Sequence, residues 1–321
     1  MKKSFGAIIH KLKILGILII IVSVLYAVLF LAGIPPFVVI RKEVYCAYSN
    51  KLDITSYQEN DCKNLKYFKN LKELKFYGNE KTNVEFLENM TCLEKLSLFE
   101  ISFEEINKTV LSKNLKELVI FNADVQELSF LKNNQELSML YIENLYTENP
   151  HDYEDCEKKH YMISSVDGIQ SNTKLEYLYL PVCSDTDLSA LNTLKSLKSL
   201  NLNTNNTDLS AVYECESLES FNLSNGKIEK LDGIEKLKKL QDLRLETLYI
   251  EDFSCLKKLE NLRVLYLYNE SGFGDLSFLK DMTCLEEVHI FLSGNNSSID
   301  EFEELQSVLE TNGVDVYIEV H

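Results

Sequence analysis

The chain has few of the residues and motifs from which active sites are usually built. Its eight cysteines include no C-x-x-C pair, and two of its five histidines, His10 and His321, lie near the ends of the sequence. The patterns G-x-S-x-G, H-E-x-x-H, G-x-x-x-x-G-K and G-x-G-x-x-G are absent. An activated serine, a zinc-bound water and a phosphate cradle of the usual kinds are therefore unsupported. No catalytic residue, no cofactor and no resident metal is expected. His151, Cys156 and His160 share a carboxylate-rich stretch, but their spacing matches no established metal site.

Basic charge is also scarce. Lys and Arg number 33 against 50 Asp and Glu, for a net charge of −17. The basic residues are unevenly placed: Lys2, Lys3, Lys11, Lys13, Arg41 and Lys42, against Glu43, give the first 44 residues +5 and leave −22 for the rest. A domain this acidic repels nucleic acid and anionic polymers, so the expected partner is neutral or basic.

Long uncharged apolar runs are limited to one, Ile14 to Ile34, which Pro35 and Pro36 end. As a helix it would span about 30 Å, the thickness of a bilayer's hydrocarbon core. The lysines ahead of it predict a transmembrane signal anchor with the N-terminus in the cytoplasm and the remainder outside the cell membrane. A cleaved signal peptide is the competing reading, against which stand the length of the run and the lack of a small-x-small site. The segments expected are a basic cytoplasmic stretch 1–13, a membrane span 14–34, and a tether with the N-terminal cap at 35–48.

What the sequence has in abundance is leucine at a fixed period. The template L-x-x-L-x-L begins at Leu71, Leu93, Leu115, Leu137, Leu175, Leu197, Leu218, Leu240, Leu262 and Leu285, in steps of 22, 22, 22, 38, 22, 21, 22, 22 and 23. A weaker copy holds Leu52 and Ile54. A second apolar register, Val84, Ile106, Leu128, Val166, Leu188, Leu209, Leu231, Phe253 and Leu276, precedes the next leading leucine by nine residues each time. Units of one size that cannot bury an apolar face alone stack into a solenoid.

With segments such as Asp187-Leu188-Ser189-Ala190-Leu191, continuing to Leu194, Leu197, Leu200 and Leu202, the chain resembles the short leucine-rich repeats of bacterial internalin-like proteins. The resemblance spans about residues 49–295. It implies an α/β solenoid of right-handed coils with a parallel sheet on the concave face, preceded here by one transmembrane helix. It also implies Asn or Cys three residues beyond the last strand leucine, where Asn79, Cys183 and Asn205 fit and Ile101, Ala123 and Leu145 do not. Together with abundant Lys, Ile, Asn and Glu, it points to a bacterial source. The adhesins of that family carry a sorting motif and an immunoglobulin-like module, and neither is recognisable in this sequence.

Two irregularities interrupt or end the array. The 38-residue step carries an insertion at about 146–161 with Asn149-Pro150 and several acids, either a functional rim loop or a tolerated one. Residues 296–321 read as a C-terminal cap: Ser298 and Glu301 have capping-box spacing, Phe302, Leu305, Val308 and Leu309 share a helical face, Gly313 suits its stop, and Val314 to Val320 alternate as a strand. Cys46 with Cys62, and Cys156 with Cys183, are candidate disulfides of an exterior domain. The alternative for such scattered cysteines is packing within the repeats.

Side chains alternate along a strand, so the residues flanking the last strand leucine face the concave surface. This places Tyr77, Phe99, Phe121 and Tyr141, with Tyr177 and Tyr179, in one aromatic strip and Tyr266, Tyr268 and Phe291 in another. Asn201, Asn203 and Asn222 lie between them, beside Arg244. The strips predict an extracytoplasmic binding module for a protein or peptide. Two other readings stay open: aromatic enrichment from strand propensity alone, and a structural envelope protein that self-assembles laterally.

Overall fold

The L-x-L alternation aims one side-chain row of each strand inward, and a 22-residue return brings the next row beside it. A computed structural model describes residues 2–31, 35–40, 43–54, 62–79, 81–144, 162–225, 228–248, 250, 252–269, 273–292 and 302–320. Twelve strands form one parallel sheet in chain order: β3 (Lys51–Ile54), β4 (Glu73–Tyr77), β5 (Lys95–Phe99), β6 (Glu117–Ala123), β7 (Met139–Asn144), β8 (Tyr177–Pro181), β9 (Ser199–Asn203), β10 (Ser220–Ser224), β11 (Asp242–Leu248), β12 (Val264–Asn269), β13 (Glu287–Leu292) and β14 (Asp315–Val320). A separate antiparallel hairpin, β1 (Phe37–Ile40) and β2 (Glu43–Cys46), precedes it. Register follows the repeat: Leu74 lies beside Leu96, Leu96 beside Leu118, and Leu200 beside Phe221. Across the 38-residue step, Leu140 lies beside Leu178.

The second apolar register builds the opposite wall. Val84, Leu128, Leu188, Leu209, Phe253 and Leu276 each immediately precede a 3₁₀ turn or the short helix α3 (Ser210–Tyr213), and Ile106 lies within α2 (Phe103–Lys108). Both registers are buried in one continuous core that runs the length of the array. The recurring Asp-x-Ser triplets open these turns. Asp187, Asp208, Asp252 and Asp275 accept hydrogen bonds from the backbone N–H of Ser189, Ser210, Ser254 and Ser277 at 2.7–2.9 Å. A carboxylate satisfies an orphan donor there and is itself stabilised in the charged form. Gly168 precedes another turn at φ +107°, with Leu128 O only 2.4 Å from where a Cβ would sit.

Two polar ladders run along the stack at the repeat period. Inside the core, Ser112 Oγ donates to Thr91 O at 2.9 Å, Asn134 Nδ2 to Ser112 O at 2.7 Å, and Asn172 Nδ2 to Asn134 O at 2.7 Å, each tying one coil to the last. On the surface, Lys72 and Lys116 flank Glu94 at 2.8 Å each. Lys174–Glu136, Lys198–Glu176, Lys236–Glu214 and Arg263–Glu286 repeat the theme. The hydrogen bonds with Lys116 and Lys72 hold the Glu94 carboxyl at about 2.

Several expectations require correction or fall outside the described residues. The apolar N-terminal segment lies in α1 (Lys2–Leu31), yet no helix among the described residues is long and apolar enough to cross a membrane. The predicted transmembrane helix at 14–34 is therefore set aside. Cys46 is an exposed free thiol, so the Cys46–Cys62 staple is not formed. Cys183 is buried, and its expected partner Cys156 lies outside the described residues, as do the insertion 146–161, His151, His160 and the capping pair Ser298 and Glu301. At the far end, α4 (Glu303–Thr311) buries Leu305 and Leu309, Gly313 takes φ +84°, and β14 joins the sheet as a full strand.

The core makes one stability prediction. Leu243 is fully buried on β11, so Leu243→Ala is expected to cost about 2–5 kcal/mol in a urea titration. Asn201→Ser, on the opposite face, is expected to leave the midpoint almost unchanged.

Candidate functional site

With the leucines inward, positions three, five and seven of each repeat unit face the concave side. Column seven brings Tyr77, Phe99 and Phe121 together on β4, β5 and β6. The Tyr77 and Phe99 rings stack at 4.2 Å between centroids and 10° between planes, and Phe99 lies 6.0 Å from Phe121. Lys75 Nζ sits 5.5 Å from the Tyr77 centroid and 5.3 Å from that of Phe99, within cation–π range. In column five, Tyr141 and Tyr179 stack at 4.4 Å and 19°. Tyr177 pairs with Met139 beside them, in column three. Tyr141 OH donates to Glu143, and its phenol is shifted upward, first by burial and then by that hydrogen bond.

All six aromatic residues of this strip are half-buried. Neighbouring strands lie about 4.8 Å apart, close enough for rings to cover each other's faces. The concave floor therefore presents ring edges and hydroxyls more than open faces.

The central stretch is polar. Asn201 and Asn222 lie in register on β9 and β10 and are half-buried, whereas Asn203 is buried and accepts from Asn225 Nδ2 at 2.8 Å. Asn222 Oδ1 has no hydrogen-bond partner among the described residues.

The C-terminal strip is a single pile of planar groups. Arg244 Cζ lies 4.1 Å over the Tyr266 ring, Tyr266 stacks on His289 at 3.9 Å and 6°, and His289 on Tyr317 at 4.4 Å and 12°. Tyr268 and Phe291 pair in column seven alongside. Carboxylates fix the pile. Arg244 Nε and Nη2 reach Asp242 at 3.2 and 3.4 Å, Tyr266 OH donates to Glu287 Oε1 at 3.2 Å, and His289 Nε2 lies 2.5 Å from the same oxygen. Glu287 is held below the ordinary glutamate range, chiefly by its bond to His289 and also by that from Tyr266.

Of the residues expected on the concave face, the aromatic ones and Arg244 thus fall into two clusters, Asn201 and Asn222 lie half-buried between them, and Asn203 is buried. Reading only the residues that flank the last strand leucine misses most of column three, including the Lys51–Glu73 and Lys95–Glu117 rungs at 2.5 and 2.6 Å, Asp242 and Glu287. It also misses Tyr317, because the terminal strand reads as a cap; the alternation of Asp315-Val316-Tyr317-Ile318 was the available signal. No group of three or more His, Cys, Asp or Glu side chains among the described residues is placed to hold a metal ion.

No protein-family model and no curated protein matches the chain. Among solved structures, it is similar to an internalin (inlF) from Listeria monocytogenes, at 19% identity over 87% of this chain and 85% of that one, with a TM-score of 0.55. It is also similar to TLR13 in its complex with ssRNA13, at 16% identity over 84% of this chain and 43% of the other, with a TM-score of 0.54. At such identities the likeness shows the fold, that of a leucine-rich repeat protein.

The depressed Glu287 carboxyl sets a pH dependence. Its stabilising contribution is complete above the ordinary value of 4.5 and is lost as pH falls through the lower folded value. Carboxyl-carbon NMR is expected to show Glu287 titrating below 4.5, with Tyr266→Phe moving the midpoint upward, and Glu287→Gln is expected to flatten the acid limb of the stability profile.

Proposed function

We propose that this leucine-rich repeat array is a binding module that recognises a protein or peptide partner on its concave face. Support comes chiefly from the two aromatic clusters on one continuous sheet face, separated by the Asn201 and Asn222 stretch. From Tyr179 on β8 to Tyr266 on β12 is four strand steps, about 19 Å along the sheet, a span that a protein surface or an extended segment covers. Ring edges held in place by stacking need little ordering on binding, so desolvation of the aromatics is offset by a small entropy loss. The surrounding carboxylates and the net charge of −17 favour a neutral or basic partner and disfavour nucleic acid.

A double substitution tests this reading. Phe99→Ala with Phe121→Ala is expected to weaken partner capture by roughly thirtyfold or more, the effect of losing a hot spot of about 2 kcal/mol. The thermal midpoint should move little, because both rings lie on the half-buried concave face. Lys72→Ala and Lys198→Ala, on the ion-pair column away from the strip, serve as controls. A folded double variant that captures its partner normally excludes the aromatic floor, and an unfolded one shows that the rings are core.

A further inference from the structure

The C-terminal end of the sheet is less finished than its interior. Interior strands bury their inward residues completely, as Val288 and Ile290 on β13 do at 0% exposure. The equivalent residues of β14, Val316 and Ile318, are only half-buried, although α4 packs near them. Among the described residues β14 pairs with β13 alone. Asp315 N–H donates to Glu286 O at 2.8 Å, so by the alternation of a parallel ladder Val316 and Ile318 turn their N–H and C=O groups toward the open edge. On the concave side, Tyr317 closes the pile that begins at Arg244. One face of its ring lies on His289, and the residue remains 47% exposed.

We propose that this edge receives a β-strand from a partner protein, with a basic residue opposite Asp315, a planar side chain opposite Tyr317, and aliphatic residues covering Val316 and Ile318. The planar and aliphatic requirements continue ladders already present in the array, and the basic one answers the acids Glu287 and Asp315 of its last two strands. In column three at the other end of the array, acids face lysines across neighbouring strands, as in Lys51–Glu73 and Lys95–Glu117, whereas Asp315 lies in register with Glu287 and has no such cation on β13. In column five, planar groups pile at 3.9–4.4 Å. An added strand gains main-chain hydrogen bonds along the edge and selectivity from alternate side chains. A second copy of β14 does not fit. In antiparallel pairing about Tyr317 it sets Asp315 opposite Glu319, and like charges directly opposed on a sheet are destabilising. The same two acids also guard the edge against indiscriminate pairing.

The test uses the whole chain and a fluorescent peptide, Thr-Lys-Val-Tyr-Val-Lys-Thr, with Thr-Glu-Val-Tyr-Val-Glu-Thr as its charge-reversed counterpart. Saturable binding is expected for the basic peptide, roughly tenfold tighter than for the acidic one, since attractive cross-strand pairs are exchanged for repulsive ones. Asp315→Lys is expected to remove most of that discrimination. Ile318→Pro, which takes away an outward N–H, is expected to abolish binding while the thermal midpoint is retained; should Ile318→Pro unfold, Asp315→Lys carries the test. Phe99→Ala with Phe121→Ala, at the other end of the array, should bind the peptide as the parent does, so failure of the concave site and failure of the edge are told apart. No saturation up to about 1 mM, the limit of a weak specific contact, or equal binding of both peptides overturns the proposal. So does self-association in sedimentation that Asp315→Lys changes, because it assigns the edge to a second copy.

Discussion

Everything in this molecule depends on one constraint: a coil of 22 residues has an apolar stripe too large to expose and no partner of its own to bury it. Burial comes only from the coil before and the coil after. The leucines on the strand side and the second register on the turn side therefore meet in a core that is one coil thick and as long as the array. Strand register and turn placement both follow from stacking near-identical solutions. Because the core uses positions one, four and six of each strand unit, positions three, five and seven are released from packing duties and free to carry aromatic, amide or charged groups.

How the free positions are filled differs along the length. Toward the N-terminal end, rings stack in column seven under the influence of Lys75. Toward the C-terminal end, Arg244, Tyr266, His289 and Tyr317 stack in column five with carboxylates pinning their polar tips. The two clusters are built from the same strand spacing but present different chemistry, one nearly apolar and the other mixed with charge.

The array was legible in the sequence because inward leucines recur at a period longer than any local element. A list of Leu71 to Leu285 suffices to place eleven of the twelve strands once Leu52 and Ile54 are added. Less regular features were harder to read. Ser112, Asn134 and Asn172 share one repeat position, yet elsewhere that position holds Met90, Leu194, Cys215 or Leu237, so their ladder is visible only when the coils are stacked. Asp187 and its equivalents were recognisable as a recurring frame, while their role as acceptors for turn N–H groups needed coordinates. Column membership could be counted, but ring orientation depends on side-chain torsions that position alone does not set. The uncharged run near the N-terminus reads as a span from its hydropathy and the lysines ahead of it, yet no helix among the described residues is long and apolar enough to be one.

The second position of the repeat reads Lys72, Glu94, Lys116, Ser138, Glu176, Lys198, Glu219, Gln241, Arg263 and Glu286. The sign alternates from coil to coil wherever neighbouring members are charged, and Ser138 and Gln241 are its neutral gaps. During folding, near-identical coils are at risk of stacking out of turn, and their leucines cannot tell a neighbour from the coil beyond it. The charges can. Omitting Glu94's coil would set Lys72 over Lys116, and omitting Lys198's would set Glu176 over Glu219, so a layer skipped at either of these two places meets repulsion where the correct one meets attraction. At those two places the column acts as a parity check on assembly.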